Sequence, residues 1–334
     1  MKRITIYDVA KEADVSLATV SRVINESDVV RQDTRVRVQQ AIEKLGYKPN
    51  AIAQGLALSK TTTISIVMGE KLFPYNAKIL NGLMDVAKIY NYNIMFHTTS
   101  KGISKMQDVI ESIIKSRVDG VILFNDNFSD EELEVLHEYQ IPMVVVGSHV
   151  EDTDKGNVGN VFINFENLAY EVANRYFLKG IDDIALVEDK LNLGVMNELK
   201  AGIERAFKEK GKTFDNYIQY DDSFKTSYAF LTHYFSEHTP NRVVITLRDS
   251  QAIAVLNASA EAGYSIPQDC ELICILNNKY LSMVRPNVST YNLPEYDMGA
   301  VSMRLLTKML EEKDKPSNQT IEMSYSFLPR STTK

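Results

Sequence analysis

From Thr62 onward the sequence repeats one texture twice. The runs "TISIVMG", "NIMFHTT", "DGVILFN" and "PMVVVG" are short and β-rich, and helix-length segments such as 76–91 and 103–116 separate them. A second series, "DIALVED", "YIQYDD", "RVVITLRD" and "LICILNN", alternates with helices near 192–211, 226–237 and 250–263. Strands alternating with helices predict a parallel sheet covered on both faces. Two such series predict two α/β lobes with a cleft between them. Ligands favour a crevice of this kind, at the carboxyl ends of the strands.

The first 45 residues have a different period. Ile6, Val9, Ala10 and Ala13 fall at i, i+3, i+4 and i+7, a single apolar helical stripe. Thr5 can cap that helix, with Asp8 as the returning acid. After the short link "ADVS", Ser16 can cap a second helix whose Val20, Val23 and Ile24 face inward. A third helix starts at Asp33, buries Val38, Ala41, Ile42 and Leu45, and stops at Gly46. Helix, tight turn, helix, then a supporting helix is the helix-turn-helix pattern.

In that pattern the second helix enters the major groove of DNA. Leu17, Ala18, Ser21, Arg22 and Asn25 lie on its outward side, and Arg22 is its only charge. Small residues allow close approach. Arg22 can make a bidentate contact to guanine O6 and N7, and Leu17 and Ala18 an apolar contact to a thymine methyl. Charge is distributed accordingly. The chain carries −7 overall, yet residues 1–60 hold ten Lys and Arg against seven Asp and Glu. A basic head on an acidic body can bind a polyanion with one end only.

Other function classes find little support. The five histidines show no metal-ligand spacing, and no nucleophile elbow, Gly-rich phosphate loop or paired catalytic carboxylates occur. An enzyme is therefore not expected, nor a cofactor or metal. Cys270 and Cys274 are four apart in an apolar run. They read as buried thiols rather than a redox or metal pair, which wants two intervening residues or more ligands. No apolar run approaches the length that crosses a bilayer and no signal peptide is read, so a cytoplasmic protein is expected.

"TIYDVAKEADVSLATVSRVINES", the following "YKPNAIAQGLA" and the doubled α/β body together resemble the lactose/galactose repressor family, along the whole chain. The resemblance implies a helix-turn-helix headpiece at 1–60, with a hinge helix at 50–58, on a two-lobed periplasmic-binding-protein-like (type I) core of doubly wound parallel sheets. The first lobe would comprise 61–161 and about 293–320, the second 162–292 and about 321–334. It also implies a homodimer reading a pseudo-palindromic operator on double-stranded DNA, usually as a repressor. The DNA-binding residues would then be Thr5, Tyr7, Ser16, Leu17, Ala18, Thr19, Ser21, Arg22, Asn25, Asn50, Ala53 and Leu56. In the family the hinge folds on DNA and a leucine, Leu56 here, is wedged into the minor groove, where apolar wedges kink the duplex. The residue after Ala53 is Gln54 where the family usually has arginine, a lost cation that should weaken operator binding or alter the tolerated centre.

Two surfaces of the body carry regulatory expectations. Asp297, Arg304 and Lys308 in "YDMGAVSMRLLTK" share one helical face, and Arg304 with Lys308 forms a cationic spot suited to a phosphate. In one branch of the family the matching arginine and lysine contact the serine-phosphorylated phosphocarrier protein HPr, the corepressor. Asp85 matches an acidic contact there, and Tyr296 and Asp297 complete the surface. Glu70, where that branch usually has aspartate, and "LFPYNAKI" depart from the pattern. In the cleft, Asp249 matches a ligand-contacting aspartate of sugar- and purine-binding relatives. Their arginine and second aspartate are Leu199 and Asn277 here. A polyol site needs several charged or bidentate groups to replace stripped water, so a conventional sugar pocket is not expected. A small-molecule effector at Asp249 and Asn277 is the alternative to HPr.

Overall fold

The structure, a computed structural model, describes residues 4–25, 29–48, 61–73, 75–99, 103–124, 141–150, 157–190, 193–219, 224–311 and 319–334. The chain divides into two compact units. One is residues 1–63 with the short stretch 117–119, and the other is residues 64–116 with 120–334.

The head consists of helices α1 (Ile6–Ala13), α2 (Leu17–Ile24) and α3 (Gln32–Leu45). Their inward stripes meet in a small core of Val9, Ala10, Ala13, Val20, Val23, Val38 and Ala41. Ile42 and Leu45 pack against that core while only partly buried. Lys44 reaches Glu12 at 2.6 Å and ties α3 to α1 across the surface.

The larger unit holds two six-stranded sheets. Strands β1 (Thr63–Gly69), β2 (Asn93–Thr99), β3 (Gly120–Phe124), β4 (Met143–Gly147), β5 (Val158–Phe162) and β11 (Gln319–Glu322) form the first, in the order β11-β5-β4-β3-β1-β2. Strands β6 (Ile184–Val187), β7 (Tyr217–Ile218), β8 (Val243–Thr246), β9 (Glu271–Cys274), β10 (Ser289–Asn292) and β12 (Ser326–Leu328) form the second, in the order β12-β10-β9-β8-β6-β7. The pairs β11–β5, β5–β4, β4–β3, β3–β1, β10–β9, β9–β8, β8–β6 and β6–β7 are parallel, and β10 pairs with β12 antiparallel. Central strands such as β3 and β8 are buried along their whole length, as expected when helices cover both faces. The chain crosses between the sheets three times, after β5, after β10 and between β11 and β12.

Helices α4 (Ala77–Ile89) and α5 (Ile103–Ser116) follow the first lobe's strands. Helices α6 (Phe165–Leu178), α7 (Leu193–Glu209), α8 (Phe224–Glu237) and α9 (Asp249–Glu261) serve the second lobe. Helix α10 (Glu295–Glu311) returns to the first lobe and packs on α4, β3, β4 and β5. Glycines set the α4–α10 approach. A Cβ on Gly299 would lie 1.9 Å from the carbonyl oxygen of Ile79, and one on Gly82 would lie 1.9 Å from that of Tyr296. The second lobe repeats the device, with Gly202 of α7 against the carbonyl of Glu166 in α6.

Cys270 and Cys274 are buried and unpaired, and burial pushes both thiols up to about 12. They are core residues without the thiolate character that redox chemistry needs.

Candidate functional site

The turn between α1 and α2 is made by Asp14, left-handed at φ 50° and ψ 54°, a region that aspartate tolerates better than most residues. Asp8 returns on Thr5, accepting from its N–H at 2.8 Å and its hydroxyl at 2.7 Å. Ser16 caps α2 by accepting the N–H of Thr19 at 3.2 Å, and the two hydroxyls lie 2.9 Å apart. Local sequence thus fixes both helix starts, and with them the face that α2 presents.

On that face Ala18 and Arg22, four residues apart, are exposed, while Ser21 and Asn25 are half-buried. No described residue takes up the Arg22 guanidinium. Thr5 and Tyr7 are exposed at the start of α1. Leu17 is half-buried like Ser21 and Asn25, and packs against the head's core at i, i+3 and i+7 with Val20 and Ile24. Asn50, Ala53, Gln54 and Leu56, with the whole expected hinge helix 50–58, lie outside the described residues.

On the first lobe, α4 and α10 bring the expected partner residues onto one surface. The Tyr296 hydroxyl donates to Asp85 at 2.9 Å. That bond raises the phenol's pKa, and the charges of Asp297 and Arg304 also act on it. Asp85, Tyr296, Asp297, Arg304 and Lys308 are all exposed, while Met298, Leu305 and Leu306 on the other side of α10 are buried. The helix separates polar from apolar residues as its spacing predicts.

Asp249 and Asn277 line one cleft of about 460 Å3, together with Tyr75, Lys78, Arg248 and Glu295. Neither is idle. Asp249 accepts the N–H of Ser250 at 2.8 Å, and the Asn277 side chain accepts from Arg330 at 3.0 Å. Leu199 is fully buried in the main core, a packing residue rather than part of the cleft wall. Beside it, Glu198 accepts the N–H of Phe165 at 3.2 Å, and burial pushes its carboxyl up to about 7.

Sequence reasoning missed a buried group at this cleft. Arg248 is 2% exposed, forms an ion pair with the buried Asp189 and reaches Tyr75. A signal was present, since Arg248 ends the apolar run "VVITLR" where a lone charge needs a partner.

A helix-turn-helix head, joined to a two-lobed α/β core, defines a DNA-binding transcription regulator. The chain belongs to the lacI family of bacterial regulatory proteins. Residues 5–50 match the family model "Bacterial regulatory proteins, lacI family", and residues 174–333 match "Periplasmic binding protein-like domain". Catabolite control protein A of Staphylococcus xylosus is 32% identical over 332 residues, 99% of each chain. That of Priestia megaterium is 32% identical over 334 residues, again 99% of each. Among solved structures, the lac repressor dimer bound to operator and an anti-inducer aligns with a TM-score of 0.86 at 21% identity, covering 99% of both chains. Its likeness is one of fold. These relatives are regulators and not enzymes, and no helix among the described residues is long and apolar enough to cross a membrane.

Proposed function

We propose that this protein binds a pseudo-palindromic operator as a homodimer and represses genes of carbon and sugar metabolism, with DNA affinity raised by serine-phosphorylated HPr. The observation that carries this reading is the exposed polar surface of α4 and α10, where Tyr296 bonds to Asp85 and Arg304 and Lys308 are exposed, in a chain similar over its full length to catabolite control protein A. Arg304 and Lys308, one turn apart, supply paired donors for a phosphate. In the head, exposed Ala18 and Arg22 read bases, with Ser21 and Asn25 beside them, while Thr5, Tyr7, Ser16 and Thr19 position the helices on the backbone. Leu17, at the start of α2, offers an apolar contact beside Ala18. Asn50, Ala53 and Leu56 act in the hinge. By linkage, HPr must raise operator affinity by the factor with which operator raises affinity for HPr.

The second reading is a small-molecule effector in the cleft, supported by Asp249 and Asn277 lining the same space. Calorimetric titration of serine-phosphorylated HPr into wild type and Arg304→Ala decides between them. Removing one charge-assisted hydrogen bond, worth about 1.5–3 kcal/mol, should weaken binding roughly ten- to a hundredfold. Equal affinities, or no binding to wild type, would reject HPr and favour the cleft.

A further inference from the structure

Arg248 sits just past β8, in the second lobe, and its Nε donates to Asp189. Gln251 holds the base of this pair. Its amide donates to Asp189 at 3.2 Å and to the carbonyl of Glu188 at 3.0 Å. Its oxygen accepts the N–H groups of Leu247 and Arg248 at 3.0 and 3.1 Å. All of these groups belong to the second lobe. Tyr75 does not. It precedes α4 in the first lobe, and its hydroxyl accepts from Arg248 Nη1 at 3.0 Å. The guanidinium carbon stands 5.3 Å from the tyrosine ring centroid, within cation–π range.

A second bridge runs the same way. Lys78 of α4 donates to the carbonyl of Asn277 in the second lobe at 3.3 Å, while its ammonium pairs with Glu295 at 2.5 Å. The two bridges differ in kind. Lys78 is exposed and its ion pair is screened by solvent. Arg248 is buried, so its partners decide whether a desolvated charge is tolerated. Moving the lobes apart would strip Nη1 of its acceptor while Asp189 and Gln251 still held the arginine in place.

Two-lobed proteins close around ligands that touch both lobes. Here a side chain of the protein itself touches both. We propose that Arg248 is a built-in latch, which fixes the relative position of the lobes through Tyr75 and so does the bridging work of a small-molecule ligand. The lobe arrangement that other two-lobed proteins reach on binding a ligand is then populated in the free chain, and control passes to the protein surface. The proposal concerns lobe position alone and stands or falls independently of HPr.

The test is a pulsed electron–electron distance measurement on the full chain. Both native cysteines are buried, so spin labels can be placed at Lys115→Cys in α5 and Lys208→Cys in α7, exposed positions in different lobes. Labelled chain is diluted into an excess of unlabelled chain, so that distances within one chain are read. Wild type without ligand should give one narrow distribution. Tyr75→Phe, which removes only the acceptor, should broaden it. Tyr75→Ala, which also removes the ring, should broaden it further and add longer distances. Neither change disturbs the Arg248–Asp189 pair, so both variants should fold. Arg248→Ala should resemble Tyr75→Ala, and methylguanidinium should narrow its distribution again. A broad distribution in wild type, or tyrosine variants indistinguishable from wild type, would overturn the latch.

Discussion

The Tyr296 hydroxyl donates to the Asp85 carboxylate at 2.9 Å, joining the first turn of α10 to the outer face of α4. Both residues are exposed, so water competes for this bond. Tyr296→Phe should therefore change stability by no more than about 0.5 kcal/mol. It should nevertheless free Asp85 to turn toward an incoming phosphate and repel it. Weaker binding of phosphorylated HPr at unchanged thermal stability is the expected pair of results. A large drop in melting temperature would make the bond a structural one.

Gly299 and Gly82 mark equally tight points between α10 and α4. A methyl added at Gly299 would meet the Ile79 carbonyl at 1.9 Å, and backbone cannot swing aside as a flexible side chain can. Gly299→Ala should cost at least about 1–3 kcal/mol, the usual range for overpacking, and should separate the two helices. Denaturant unfolding measures the first effect, and reduced partner binding the second. Wild-type stability in this variant would mean that the helices lie too far apart for the two backbones to touch.

Arg22 separates reading from simple charge attraction. Arg22→Ala should cost about 1–3 kcal/mol on the specific operator for each guanine that the side chain grips with both nitrogens. Binding to unrelated DNA should barely change, because that binding is electrostatic and spread over many phosphates. Mobility shifts on the two DNAs at one salt concentration compare them. An equal weakening on both would assign Arg22 to the backbone.

Glu198 makes stability depend on pH. Its carboxyl is pushed up to about 7 from an ordinary value of 4.5, chiefly by burial. The fold therefore keeps a proton that the unfolded chain releases earlier. The stability contributed by the neutral form is fully present below the unfolded pKa and is lost as pH rises through the folded one. The loss approaches about 3 kcal/mol. Glu198→Gln keeps an acceptor for the Phe165 N–H and removes the titration. Its melting temperature should gain on wild type between about pH 5 and about pH 8. Parallel curves across that range would show that Glu198 ionises as an ordinary surface carboxyl.

The head was legible residue by residue. Thr5, Asp8, Ser16 and Gly46 act locally, through caps and turns that need no distant partner, and the stripes of α1, α2 and α3 follow from a 3.6-residue period. Leu17 is half-buried at the edge of a stripe, where exposure depends on neighbours that periodicity alone does not weigh. The two α/β series and the polar face of α10 were legible for the same local reason. What sequence could not supply was pairing across distance. Asp85 and Tyr296 are 211 positions apart, and Arg248 meets Tyr75 across 173. Such pairings exist only because the chain crosses between the sheets three times and folds α10 back onto the first lobe. Sequence by itself determined the head helices, the two alternating α/β series and the polar face of α10, since those choices are made within a few residues. Tertiary structure alone decided that a lone charge ending a strand would be buried against Asp189 and reach the opposite lobe. Whether a charge can be buried depends on partners that only the assembled fold provides.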